Sequence, residues 1–246
     1  IEDRLQDLGI PVFHDDQHGT AIVLLAALIN AERVAGKKMG DIRVIINGAG
    51  AAGTAIAKML RCVGHDPDVC VPVKDVIMCD SKGAIHAKRE GLSPEKEALL
   101  AYTNAEGRSG SLGEVIEGVD VFIGVSRGNL LSGDDVRRMA PGAVILAMAN
   151  PVPEIMPEDA LAAGAAIVCT GRSDFPNQVN NSLAFPGVFR GALDARAPAI
   201  TSAMKIAAAH ALADSVESPS PEEVIPHPLD RAVPKNVAAA VQAAAG

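Results

Sequence analysis

Five short runs of nearly unbroken apolar residues limit what this chain can become. IRVIIN (42–47) ends at Gly48, VIMCD (76–80) at Ser81, VDVFIGV (119–125) at Ser126, AVILAMA (143–149) at Asn150 and AIVCT (166–170) at Gly171. A strand with one wet face alternates apolar and polar residues, so runs that are apolar throughout belong to strands covered on both faces. Helix-like segments separate them. That alternation predicts a Rossmann-like α/β fold, a doubly wound parallel sheet with helices on both faces. With 48% hydrophobic residues, 2% aromatic, one Tyr and no Trp, the core must be built from aliphatic side chains.

The helices announce themselves at their ends. Ser93-Pro94 is followed by Glu95 and Glu97, Ser132 by Asp134 and Asp135, and Pro157 by Glu158 and Asp159, each a capped or proline-led start with acids in the first turn. Gly164 marks a stop. An Ala-rich helix is expected over 201–216, then a Pro-rich loop and a terminal helix in NVAAAVQAAAG that stops without a clear cap. AIVLLAALINA (21–31) reads as a buried helix. No composition shift divides the chain, so 1–246 is read as one domain, starting at Ile1 and ending in a helix in the manner of a fragment.

In open α/β sheets ligands bind beyond the carboxyl ends of the strands, which puts Gly48, Asp80, Ser126, Asn150 and Gly171 on one rim. GAGAAG (48–53) fits G-x-G-x-x-G and lies between a strand and a helix. Gly48 makes the turn, Gly50 admits a pyrophosphate to the backbone, Gly53 lets helix and strand pack, and Ala51 and Ala52 open a helix whose amides face the anion. Asp80 ends the next strand 27 residues after Gly53, farther than the usual spacing of about 20, with residues 65–74 as a lengthened connection. An acid there suits the ribose hydroxyl of NAD, or serves as a strand-end turn residue. Ser81 and Lys82 beside it suit the 2′-phosphate of NADP, towards which the reading leans.

A formal charge of −8 and the lack of a Lys/Arg run argue against nucleic acid as a partner. No apolar run looks long enough to span a bilayer and no signal peptide is seen, so no membrane partner is expected. The four cysteines, Cys62, Cys70, Cys79 and Cys169, have no metal-ligand spacing and read as free thiols in a reducing cytoplasm.

HDDQHG (14–19) admits three readings. Asp15 and Asp16 can satisfy the orphan amides of a helix start. His14 and His18 can hold zinc, though no third ligand is evident. Alternatively, one carboxylate holds a hard divalent cation while the other polarises a catalytic group.

FHDDQHGTA (13–21), GAGAAG, CDSKG (79–83), ANPVPEI (149–155) and SDFPNQVNNSLAFPG (173–187) resemble, in order and spacing, the nucleotide-binding domain of bacterial malic enzymes. The resemblance implies oxidation of L-malate with NAD or NADP and Mg²⁺ or Mn²⁺, followed by decarboxylation to pyruvate. It implies that Asp16 is a metal ligand and that Asp15 orients a catalytic lysine. Asn150, Asn180 and Asn181 would grip malate and the nicotinamide, with turn chemistry as their plainer account. The family's other two metal ligands are an adjacent Glu-Asp pair. Glu2-Asp3 is not assigned that role, because it matches a helix between the acid pair and the HDD motif. By that alignment the acid pair, the lysine base and the tyrosine acid belong upstream of Ile1. Tyr102, the single tyrosine, is expected only to pack. A homodimer or larger assembly is implied for the intact enzyme. The chain alone is expected to bind coenzyme and turn over little malate. Two other classes stay open: another Rossmann dehydrogenase, of the amino-acid or methylene-tetrahydrofolate type, and a noncatalytic dinucleotide-binding module.

Overall fold

The computed structural model describes Leu5 and residues 8–246; Glu2 and Asp3 lie outside the described residues. All five apolar runs form strands: β1 (Arg43–Asn47), β2 (Asp75–Asp80) and, after a two-residue β3 (Gly83–Ala84), β4 (Val121–Gly124), β5 (Val144–Ala147) and β6 (Ile167–Thr170). Their order is β3-β2-β1-β4-β5-β6, and β1 pairs in parallel with both β2 and β4. The winding therefore reverses at β1, and the crevice beyond the ends of β1 and β4 is the switch point where such sheets bind ligands. β3 departs from the all-parallel expectation. It folds back antiparallel, with Asp80 opposite Gly83, because Gly83 takes φ +100° and leaves room for the Gly110 carbonyl 2.2 Å from where a Cβ would stand.

Side-chain alternation then divides the core. Val44, Ile46, Val76, Met78, Val121 and Ile123 face one layer, while Ile45, Ile77, Phe122 and Ile145 face the other. The first layer holds α1 (Thr20–Ala35), α2 (Ala51–Leu60) and α3 (Pro94–Leu99). The second holds α4 (Leu112–Val115), α5 (Gly133–Arg138) and α6 (Pro157–Ala162). Beyond β6, α7 (Phe185–Asp194), α8 (Ser202–Asp214) and α9 (Val233–Ala243) return to the first layer. Each fully buried aliphatic side chain on these faces stabilises the fold by roughly 1.5–3 kcal/mol. Ser132 caps α5 reciprocally with Asp135, and Ser93-Pro94 opens α3, as their sequences require. Tyr102 packs, half-buried, against the first layer.

Residues 21–31 are buried along α1, and Asn30 in their midst donates to the carbonyls of Ala213 (2.8 Å) and Val224 (3.1 Å). That amide ties α1 to α8 and to the Pro-rich loop. A π-helical turn, Asp15–Gly19, leads into α1, so the helical stretch Asp15–Ala35 is 21 residues long with a mean hydropathy of 1.2. By length and composition it reaches what a span requires, contrary to the sequence expectation; here its apolar surface is covered by the sheet and α8. α7 was not foreseen. Gly187 and Gly191 expose bare backbone to α9: a Cβ on Gly187 would stand 2.6 Å from the Cβ of Val237, and one on Gly191 would stand 2.4 Å from the Ala238 carbonyl oxygen.

The cysteine expectation needs correction. Cys62 and Cys70 form a disulfide that brackets the turn after α2, bringing together two residues eight apart. Cys79 and Cys169 are the free, buried thiols. Burial pushes both up to about 12, so neither offers a thiolate near neutral pH.

Candidate functional site

Two adjoining hollows, about 650 and 420 Å³, open at the carboxyl ends of the strands, and Ser126 lines both. The larger contains Gly48, Asp80, Ser81, Lys82 and Arg127; the smaller contains Asp16, Asn150, Gly171, Asn180 and Asn181. All five rim positions expected from the topology thus lie in one cleft.

The larger half is built for an anion. Gly48 turns with φ +137° beneath the Val125 carbonyl, where a Cβ would come within 2.7 Å. A Cβ on Gly53 would lie 1.9 Å from the Gly48 carbonyl oxygen, so the bare third glycine lets α2 close on β1. Gly50 meets nothing within 4 Å and caps α2 without a side-chain bond. The first-turn amides, including those of Ala51 and Ala52, keep their hydrogen-bonding capacity, and the helix dipole adds partial positive charge. Asp80 reaches the cleft, but its carboxylate is engaged. Arg89 donates to both oxygens (2.8 and 2.7 Å), Lys96 to one (2.6 Å), and the Lys82 amide to the other (2.8 Å). Burial alone would raise its pKa; the hydrogen bonds from Arg89 and Lys96 outweigh that and bring it to about 2. One carboxylate at the cleft therefore holds two cations, Arg89 and Lys96, while Lys82 itself lines the hollow.

The smaller half is lined by oxygen and amide groups. Asp16 is exposed to it, whereas Asp15 is tucked behind. Asn181 donates to Asp15 Oδ2 at 2.6 Å, while Oδ1 is buried without a partner. Burial, then repulsion from Asp16, raises the Asp15 pKa against a smaller opposing pull from His14. Gly19 makes this pocket possible, since its Cβ would stand 2.1 Å from Asp15 Oδ1. Asn180 accepts from the Ser182 amide at 3.0 Å. His18 rests against Phe13, and His14 points to solvent. No three His, Cys, Asp or Glu side chains converge among the described residues. The oxygen-rich lining suits a hard divalent cation better than zinc, and fits it at one corner: Asp16 is the sole carboxylate of the described residues lining this half.

One residue that sequence reasoning passed over stands behind both halves. Glu154 is fully buried; its Oε1 accepts from the Ser126 amide (3.2 Å) and its Oε2 from the Ala149 amide (3.0 Å). Gly124, ending β4, leaves the space: a Cβ there would be 2.2 Å from Glu154 Cδ. Burial raises the Glu154 pKa, partly offset by those amides. An acid inside ANPVPEI, with a glycine closing the preceding strand, was the available signal. Arg172 braces the rim beyond β6, pairing with Asp174, lying over Phe175 and donating to the Pro151 carbonyl.

Comparison with known proteins agrees with this arrangement. A family profile described as "Malic enzyme, NAD binding domain" matches residues 17–246. The chain is 54% identical to the bifunctional malic/malolactic enzyme of Bacillus subtilis, over 100% of this chain and 59% of that protein. It is 47% identical to an NADP-dependent malic enzyme of Rhizobium meliloti, over 91% of this chain and 28% of that protein. The crystal structure of an NAD-dependent malic enzyme from Thermotoga maritima superposes with a TM-score of 0.91 at 46% identity, covering 98% of this chain and 62% of that one. The chain thus spans 59% or less of the curated relatives named here. A glycine turn at the switch point, an acidic pair at the mouth of α1 and asparagines on the opposite rim occur here in one Rossmann-like sheet: the chain belongs to the malic enzyme family, as its NAD-binding domain.

Proposed function

We propose that this chain supplies the coenzyme site, one metal ligand and part of the substrate pocket for oxidative decarboxylation of L-malate to pyruvate and carbon dioxide. The observation that carries this reading is the continuity of the cleft through Ser126, which joins an anion-binding half to a half bearing a free carboxylate. The glycine turn and the start of α2 hold the pyrophosphate. The adenosine lies towards β2 and the nicotinamide towards β4 and β5, a placement that the reversal of winding at β1 supports. Asp80 concentrates Arg89 and Lys96 at the adenosine end with its own oxygens already engaged, and this favours a 2′-phosphate over a ribose hydroxyl. NADP is therefore the preferred coenzyme.

Asp16 would hold Mg²⁺ or Mn²⁺ through a carboxylate oxygen, and the ion would supply Lewis-acid chemistry at the malate hydroxyl. The orphan Oδ1 of Asp15 is oriented by Asn181 to accept from a cationic donor, the lysine that family resemblance assigns upstream. Asn150 and Asn180 bond the substrate carboxylate and the nicotinamide carboxamide without competing for the metal. In the full-length protein, Asp16→Asn should abolish Mn²⁺-dependent malate decarboxylation while dinucleotide affinity changes less than about twofold. Undiminished decarboxylation by Asp16→Asn would overturn the assignment. Coenzyme binding without malate turnover in the intact protein would instead favour a noncatalytic module.

A further inference from the structure

The cleft has a charge that its lining does not display. Glu154 is buried and bonded to the amides of Ser126, the residue shared by the two halves, and of Ala149, which lines the smaller half. Both of its oxygens accept backbone amides, an arrangement that favours the ionised form against the burial that opposes it. No Lys, Arg or His makes an ion pair with it among the described residues. The group is also locked from its other side: Leu130 and Leu131 donate to the Glu154 carbonyl at 3.0 Å, and Asn129 donates to that of Pro153 at 3.0 Å. An unpaired buried charge is expensive and persists where surrounding structure enforces it. Here Gly124 forgoes a side chain to admit it.

We propose that Glu154 is a positioning residue that fixes the exits of β4 and β5 and, through its unpaired charge beneath their junction, favours the oxidised over the reduced coenzyme. This rests on the proposed placement of the nicotinamide towards β4 and β5. The oxidised ring is a cation and the reduced ring is neutral, so a fixed anion below the junction attracts only the first. Reduced coenzyme then leaves the site more readily than the oxidised form that entered. Field effects in a partly buried site are worth roughly tenfold in such a ratio.

The test is the ratio of dissociation constants for NADP⁺ and NADPH, measured by calorimetry on this chain, with folding checked by circular dichroism. Glu154→Gln keeps the shape and removes the charge; it should weaken NADP⁺ relative to NADPH by about tenfold. Glu154→Asp keeps the charge with a shorter reach; it should weaken both coenzymes and leave their ratio within about twofold of wild type. An unchanged ratio in Glu154→Gln overturns the proposal, and so does a shifted ratio in Glu154→Asp, which keeps the question decidable where the glutamine variant fails to fold. Failure of the wild-type chain to bind either nucleotide would refute the coenzyme site itself, an outcome distinct from both.

Discussion

Neutralising Asp80 should cost stability by an amount that acid then takes away. The carboxylate carries a pKa of about 2 in place of 3.8 and is bound by Arg89, Lys96 and the Lys82 amide. A folded-state pKa below the unfolded one contributes stability that is fully present above the unfolded value and is lost as pH falls through the folded one. That lowering is worth about 2 kcal/mol at pH 7, falling to about 1 kcal/mol at pH 3. Asp80→Asn should therefore lower the melting temperature by about 5–10 °C at neutral pH. Urea unfolding followed by circular dichroism at pH 7, 4 and 3 gives the free-energy gap directly. A gap equally wide at pH 3 and pH 7 would show that the ion pairs are not its source. The same variant frees Arg89 and Lys96 from Asp80, so NADP⁺ should bind more tightly relative to NAD⁺ if the proposed adenosine end is right; a relative loss of NADP⁺ affinity would contradict it.

Gly53→Ala places a methyl group 1.9 Å from the Gly48 carbonyl oxygen; forcing α2 away from β1 should lower stability by about 1–3 kcal/mol and weaken nucleotide binding by more than about tenfold, both read in one calorimetric titration series. Asn30→Ala leaves the carbonyls of Ala213 and Val224 without their shared donor; a loss of about 1–3 kcal/mol in urea unfolding is expected, with coenzyme affinity unaltered. Reducing the Cys62–Cys70 bridge frees a loop closed over eight residues; a loss of about 2–3 kcal/mol should follow, absent in a Cys62→Ser variant treated identically.

The sheet was legible because its strands are buried on both faces, which makes them apolar at every position and fixes their ends by the first Gly or small polar residue. Those ends are the rim, so Gly48, Asp80, Ser126, Asn150 and Gly171 could be placed together before any contact was known. What escaped depends on groups distant in sequence. That Asp80 is engaged by Arg89 and Lys96 could not be read from its place at a strand end. Glu154 draws no role from the sequence, because the space it fills is left by Gly124, thirty residues earlier. β3 is too short to show a period, and α7 begins FPGVFRG, where proline and two glycines argue against a helix until α9 is seen to need that bare surface. The Cys62–Cys70 bridge crosses a turn whose shape no spacing rule specifies.

The pair of glycines on α7 has a reach beyond their own contact. The asparagines that face the substrate half sit on the turn immediately before α7, with Asn181–Leu183 leading almost directly into Phe185–Asp194. Whatever holds α7 steady also sets the aim of Asn180 and Asn181, and α9 is docked on α7 through Gly187 and Gly191. α9 therefore acts as a remote brace for the smaller hollow, whose lining lies on other elements: prising it loose would misdirect two amide side chains while the glycine turn, on the other side of the crevice, stayed intact.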